Sequence, residues 1–346
     1  MALYLKAMKN LTLHIGAGKT GTSAIQTALA RMQSELWDEG IYYPHHPSFV
    51  KATNGLATSG NAGTLALYLK NKLPKESQET SINEWLLNTI TASKDRNILV
   101  SSEALSNVNS ANLEKFSDLL IKNNVKPNII YYVRHVADLL TSGYGQFAKN
   151  GLFKHSLHKA LKKAVAPYKS QLELYSKVFG AESIQVYLYD EEKNNLLKYF
   201  LAHIGICRDD ITVEVVNPSI SRKGLEIIRL LVEMELGGEL LKTVIEYIQH
   251  KEGAKNMPFP LTEKELNCVS DLNLDVINYV NKNFFDGFPR LKIKSDKITI
   301  VDESVFEPSE NEIILLNTID ALLKANKSLI LENNAYEAKK STPLNF

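Results

Sequence analysis

Cysteine is nearly absent: Cys207 and Cys268 are the only two in 346 residues, and they lie in separate regions. Two thiols build no disulfide framework and give no paired zinc spacing, so both read as ordinary reduced cysteines. An excess of either charge is also lacking, since 40 Lys and Arg against 39 Asp and Glu leave a formal net charge of +1. That balance excludes a general binder of nucleic acid or anionic membranes, although not a local basic pocket. No run approaches the roughly 20 apolar residues that a bilayer-spanning helix needs. Residues 1–10 carry lysines at 6 and 9 but no apolar stretch of the signal-peptide kind, so the expectation is a cytoplasmic protein. Internal repeats and low-complexity tracts are missing too. What remains is 44% apolar and 23% charged, an ordinary globular mix. The length suggests about two structural units and suffices for a large core.

The first half alternates short apolar runs with helical patterns. Leu11 to Ile15 reads as a strand followed by a glycine-rich turn. From Thr22 to Trp37, the apolar residues Ile25, Leu29, Met32 and Leu36 recur at helical spacing. Gly40 ends that helix, and Ile41-Tyr42-Tyr43 begins a second strand. Asn97 to Ser101, Asn128 to Val133 and Ile184 to Tyr189 are further strands, with helices at Leu113 to Ile121 and Leu139 to Phe147. Strands alternating with helices predict an α/β fold with a mainly parallel central sheet flanked by helices. Ligands then sit beyond the carboxyl ends of the strands. Past about residue 200 strand signals fade, and Gly224 to Gly237, Leu240 to His250 and Thr262 to Phe284 read as helices. The expected organisation is an α/β domain over 1–285, including a helical part at 220–285. A partly helical extension with a polar tail follows over 286–346. His46 to Gly63 is a long polar loop suited to a lid or an acceptor pocket.

The most informative stretch is Gly16-Ala17-Gly18-Lys19-Thr20-Gly21-Thr22-Ser23, between the first strand and the first helix. A turn there presents backbone N–H groups at the positive end of a helix, which suits a phosphate or sulfate. Lys19 adds a mobile positive charge, and the hydroxyls of Thr20, Thr22 and Ser23 add donors. This is not the Walker A loop of ATPases. That pattern needs a glycine five positions before the Gly of Gly-Lys-Thr, where this chain has Leu13. No Walker B aspartate is obvious either, so an anion site without metal is expected. Further on, Arg134 ends the fourth strand and Ser142 follows eight residues later. An arginine and a serine so placed can clasp a second phosphate through charge-assisted hydrogen bonds.

With these residues in view, the chain resembles the sulfotransferases that use 3′-phosphoadenosine 5′-phosphosulfate, and within them the bacterial branch. Lys19-Thr20-Gly21-Thr22 matches the family's 5′-phosphosulfate loop. Arg134 with Ser142 matches its 3′-phosphate pair. Ser101-Ser102-Glu103, Tyr187-Leu188-Tyr189-Asp190 and Asn217-Pro218-Ser219-Ile220-Ser221 are further look-alikes, and the resemblance covers roughly residues 10–285. One departure is His135-Val136, where many members have proline after the arginine. The resemblance implies the P-loop-like sulfotransferase fold and transfer of a sulfuryl group to a hydroxyl acceptor, the expected acceptor being a carbohydrate or a glycolipid. It implies the phosphosulfate as co-substrate, adenosine 3′,5′-bisphosphate as product, no metal and no nucleic-acid partner. It assigns Lys19 to stabilising the leaving phosphate.

Two places could supply a general base. Glu103, after the third strand, would need a raised pKa or a strongly polarised acceptor; His45, with His46 after the second strand, titrates near neutrality unaided. Glu103 is the preferred base and His45 the second choice. Arg222-Lys223-Gly224 is similar to the Arg-Lys-Gly that closes over the 3′-phosphate in soluble members, which makes Arg222 a candidate ligand; charges on the first turn of a helix explain it equally well. A nucleotide-dependent kinase, or a non-catalytic nucleotide-binding protein on the same fold, are the competing readings.

Overall fold

The computed structural model describes residues 8–47, 49–55, 58–73, 78–152, 155–208, 220–234, 238–252 and 259–306, and parts of 314–329. Its seven strands are β1 Lys9–His14, β2 Ile41–Tyr42, β3 Asn97–Ser101, β4 Val125–Val133, β5 Ile184–Leu188, β6 Phe259–Thr262 and β7 Ile298–Val301. Between β1 and β3 run α1 Thr22–Arg31, α2 Gln33–Asp38, α3 Phe49–Thr53, α4 Gly63–Leu69 and α5 Gln78–Ala92. There follow α6 Ser110–Lys122, α7 Val136–Lys149, α8 Leu157–Leu161, α9 Tyr168–Phe179, α10 Tyr189–Glu192 and α11 Leu196–His203. The later helices are α12 Arg222–Glu233, α13 Gly238–Glu252 and α14 Glu263–Phe284.

These elements form two compact units. The first gathers the described residues of 1–143, 163–217 and 268–296; the second gathers those of 144–162, 218–267 and 297–346. In the first unit, β1 to β5 make one parallel sheet in the order β2-β3-β1-β4-β5. This is the parallel architecture that the alternating pattern predicts. β4 is buried on every residue from Ile129 to Val133, as befits a strand covered on both faces. A cluster of Ile25, Leu29, Leu36, Leu99, Ile130, Tyr132, Leu197 and Phe200 fills the space where α1 and α11 meet the sheet.

The connection from β1 leads to β2, on one side of the sheet, whereas that from β4 leads to β5 on the other. Adjacent parallel strands whose connections diverge leave a crevice beyond their carboxyl ends. The crevice therefore lies between the end of β1 and the end of β4, the strands that carry the glycine loop and Arg134.

Several local expectations are corrected. The helical pattern from Thr22 to Trp37 is broken at Met32 into α1 and α2. β4 starts at Val125, three residues before the expected Asn128, and contains Pro127. There β4 pairs with β1 alone, since β5 joins only from Ile129, and proline is tolerated on an unpaired edge. The polar stretch from His46 to Gly63 contains α3. Strands also recur past residue 200: in the second unit β6 and β7 form a parallel pair, Phe259 opposite Ile298 through Thr262 opposite Val301. The segment 209–219, with Asn217, and the tail beyond 329 lie outside the described residues.

In the second unit, α14 begins with a reciprocal cap. Glu265 N–H donates to Thr262 Oγ1 at 3.2 Å, and Thr262 N–H donates to Glu265 Oε2 at 2.9 Å. Among the described residues no helix is long and apolar enough to cross a membrane.

Candidate functional site

The loop after β1 is shaped by two glycines. A Cβ on Gly16 would stand 2.2 Å from Thr22 Oγ1. Gly21, at φ +76°, would bring one within 2.3 Å of Leu196 Cδ2. Only glycine fits at either place. Gly21 caps α1 without a side chain, so the N–H groups of the first turn meet no side-chain cap. Thr20 Oγ1 donates to Ala17 O at 2.6 Å and holds the turn. Lys19 stands at its apex with φ +69°, a left-handed conformation rare for a residue with a Cβ. Thr22 Oγ1 is buried and has no hydrogen-bond partner among the described residues. Gly18 and Ser23 are exposed.

Arg134 comes to this loop from the end of β4. Its Nη1 donates to Lys19 O at 3.2 Å, and its guanidinium lies 5.4 Å from the centre of the Tyr189 ring. Its Nε is buried without a partner among the described residues. Glu103 opens a short 3₁₀ turn beyond β3, Glu103–Ser106, which Ser102 Oγ caps by accepting from Ala104 N at 3.1 Å. The Glu103 carboxylate is thus not the cap. It keeps an exposed edge, yet its surroundings desolvate it enough to raise its pKa, against the smaller lowering effect of the Lys19 charge. Burial lowers Lys19; Glu103 raises it in return and Arg134 lowers it. Lys19, after β1, thus feels charges from two other strand ends, Glu103 after β3 and Arg134 after β4.

The missing proline after Arg134 is made good by other groups. His135 N–H donates to Asp190 Oδ2 at 2.9 Å, Val136 N–H to Lys292 O at 3.2 Å and Ala137 N–H to Ile293 O at 2.7 Å. Asp138 fastens the same strap by accepting from Ser295 N at 2.9 Å and Ser295 Oγ at 2.6 Å. The amino end of α7 is thus satisfied by a segment more than 150 residues away in sequence, just beyond the expected boundary at 285.

Beneath the loop, His14 is wholly buried. Its Nδ1 lies 2.8 Å from Ser101 Oγ, and burial lowers its pKa to about 3, so it is neutral at working pH. Ser101 N–H also donates to Asn61 Oδ1 at 2.7 Å, and Ser102 Oγ donates to Ser59 O at 2.5 Å. Gly60 is pressed so closely on Ser101 that a Cβ would lie 1.9 Å from its carbonyl oxygen. The stretch 58–61, expected as part of a lid or an acceptor pocket, is packed onto the end of β3.

His45 is exposed, with its ring 4.5 Å from that of Phe49. His46 is buried, its Nε2 lacks a partner among the described residues, and burial lowers its pKa. Ser142 lies within α7, six residues past its first residue Val136, about 9 Å along the helix axis at 1.5 Å per residue. Arg222 lies in the second unit, paired with a carboxylate. Its Nη1 and Nη2 donate to the two Glu265 oxygens at 2.6 and 2.8 Å, and Nη1 also donates to Pro260 O at 2.9 Å. The guanidinium is buried in a two-pronged ion pair with this carboxylate. Sequence reasoning missed Tyr168, whose hydroxyl meets the Arg134 backbone, and His14. Nothing local marks Tyr168; a histidine closing the strand that carries Leu11 and Leu13 is the one available signal for His14.

No family profile matches this chain, and no curated protein matches it in sequence. Among solved structures, a sulfotransferase from Alicyclobacillus acidocaldarius superposes with a TM-score of 0.39 at 16% identity, over 67% of this chain and 98% of that one. The sulfotransferase domain from the curacin biosynthetic pathway gives 0.35 at 12% identity, over 76% of this chain and 96% of the other. Likeness this loose identifies neither a family nor a substrate.

Proposed function

We propose that the chain is a sulfotransferase that moves a sulfuryl group from 3′-phosphoadenosine 5′-phosphosulfate to a hydroxyl of a carbohydrate or glycolipid. The observation that carries this reading is the meeting of Lys19 and Arg134 in the crevice between β1 and β4, with two buried donors there, Thr22 Oγ1 and Arg134 Nε, that have no partner among the described residues. Unsatisfied buried donors are costly, and an anion in the crevice would satisfy them. The loop and Lys19 would hold the 5′ side, and Arg134 with Ser142 the 3′-phosphate. As the acceptor oxygen attacks sulfur, the bond from sulfur to the 5′-phosphate oxygen breaks, and Lys19 offsets the charge growing on that oxygen. The acceptor's proton passes to Glu103, whose pKa burial raises above the ordinary carboxylate value.

The first test is ligand-linked stability. At a hundredfold excess over Kd, adenosine 3′,5′-bisphosphate should stabilise the protein by about 2.7 kcal/mol, seen as a higher Tm, while ATP with magnesium should do much less. Stabilisation by ATP with magnesium alone would favour a kinase. Bisphosphate binding without transfer of radiolabelled sulfate to any acceptor would favour a non-catalytic nucleotide-binding protein.

The second test is the pH profile. A carboxylate base works only when ionised, so kcat/KM should fall tenfold per pH unit below an apparent pKa above the ordinary carboxylate value. Glu103→Gln should remove that acid limb and lower the rate by roughly 10²–10⁴-fold. An acid limb that survives Glu103→Gln but disappears in His45→Ala would make His45 the base.

A further inference from the structure

Arg134 occupies an awkward place in the chain. β4 pairs with β5 only as far as Val133 opposite Leu188, and α7 begins at Val136. The peptide groups of Arg134 thus belong to neither the sheet ladder nor the helix, and a backbone in that position would ordinarily fray. One side chain prevents it. Tyr168 Oη accepts a hydrogen bond from Arg134 N–H at 2.9 Å and donates one to Arg134 C=O, also at 2.9 Å. A single hydroxyl that engages both polar groups of one residue fixes its φ and ψ together, and with them the direction of its Cα–Cβ bond.

Tyr168 is itself immobile. It is the first residue of α9 and wholly buried, with its ring edge-on to that of Tyr131 at 6.2 Å and 86°. The Tyr131 hydroxyl in turn bonds Gln171, one turn further along α9. Burial is the largest influence on the Tyr168 phenol and raises its pKa, so the hydroxyl keeps its proton and its donor role. With the backbone of Arg134 clamped in this way, its side chain leaves in one direction, onto the Lys19 carbonyl and beside the Tyr189 ring.

We propose that Tyr168 is a positioning residue for the donor nucleotide, its hydroxyl setting the aim of the Arg134 guanidinium at the 3′-phosphate. This rests on the donor reading given above. The experiment compares binding of adenosine 3′,5′-bisphosphate and of adenosine 5′-monophosphate by calorimetry, in the wild type and in Tyr168→Phe. The expected result is a roughly tenfold weaker Kd for the bisphosphate, the size of one charge-assisted hydrogen bond, with the monophosphate changed less than about twofold. In turnover the loss should appear in the KM for the donor, with kcat kept. Tyr175→Phe on the same helix is the control. It loses a buried bond to Leu105 O of 2.7 Å and should lower Tm without changing the ratio of the two affinities. Should Tyr168→Phe fail to fold, para-fluorophenylalanine at 168 fills the same space without a donor, and the same ratio is read from it. An unchanged ratio, or equal weakening of both nucleotides, overturns the role of Tyr168. A wild type that binds both nucleotides equally overturns the donor reading instead, before any variant is made.

Discussion

Replacing Lys19 by glycine should cut kcat/KM by roughly 10²–10³-fold while leaving the fold as stable as before, or up to about 1 kcal/mol more stable. The two effects have separate causes. Lys19 holds φ +69°, a conformation that costs a residue with a Cβ on the order of 1–2 kcal/mol and glycine almost nothing. Greater freedom of glycine in the unfolded chain takes back part of that gain. The catalytic loss follows from removing the cation that would face the leaving oxygen. The variant also removes the positive charge that lowers the Glu103 pKa, so the acid limb of its profile should move to higher pH. Rates are therefore compared on the alkaline side of that limb, where the base is ionised in both proteins. In the wild type a second limb is expected at high pH, below the ordinary lysine range, because burial and Arg134 both favour loss of the Lys19 proton. That limb should be absent from the glycine variant. Turnover within a few-fold of wild type would remove Lys19 from the mechanism; a large loss of Tm would mean that its aliphatic stem carries packing.

How much of this could be read in advance depends on how local each cause is. The glycine loop is legible because its parts are consecutive and its glycines answer to close contacts, Gly16 against Thr22 and Gly21 against Leu196. Arg134 is legible because a strand pattern ends on it. The sheet follows from runs of apolar residues buried on both faces. What stayed hidden acts over long separations. Tyr168 stands 34 residues beyond the arginine it clamps, and the strap from Lys292 to Ser295 replaces a proline that sequence comparison would count as lost. Pro127 concealed the start of β4, because proline breaks strands except where no neighbour needs its N–H. Ile298 to Val301 had the β-branched composition of a strand, but nothing nearby marked its partner Phe259–Thr262, more than 30 residues earlier. Arg222 shows the converse. Its tripeptide matched a ligand motif, and only the fold discloses the carboxylate that occupies it.

The largest loss of stability is expected from that ion pair. Arg222 and Glu265 side chains are 8% and 1% exposed, so neither charge can turn to water if its partner is removed. Arg222→Ala and Glu265→Ala should each cost about 3–5 kcal/mol, measured by denaturant unfolding. Glu265→Ala should be the worse, since the same carboxylate accepts from Thr262 N–H at 2.9 Å and caps α14; loss of a cap adds about 1 kcal/mol. The double variant Arg222→Met with Glu265→Leu leaves no buried charge unpaired. It should recover most of the loss, remaining below the wild type by roughly the value of the cap. Recovery in the double variant separates two roles for Arg222. A guanidinium present for the ion pair alone can be removed with its partner at no cost to ligand binding. Adenosine 3′,5′-bisphosphate should then bind the folded double variant as it binds the wild type. If affinity instead falls tenfold or more while the fold is kept, Arg222 reaches the donor after all, and its pairing with Glu265 is a resting state that ligand binding must break.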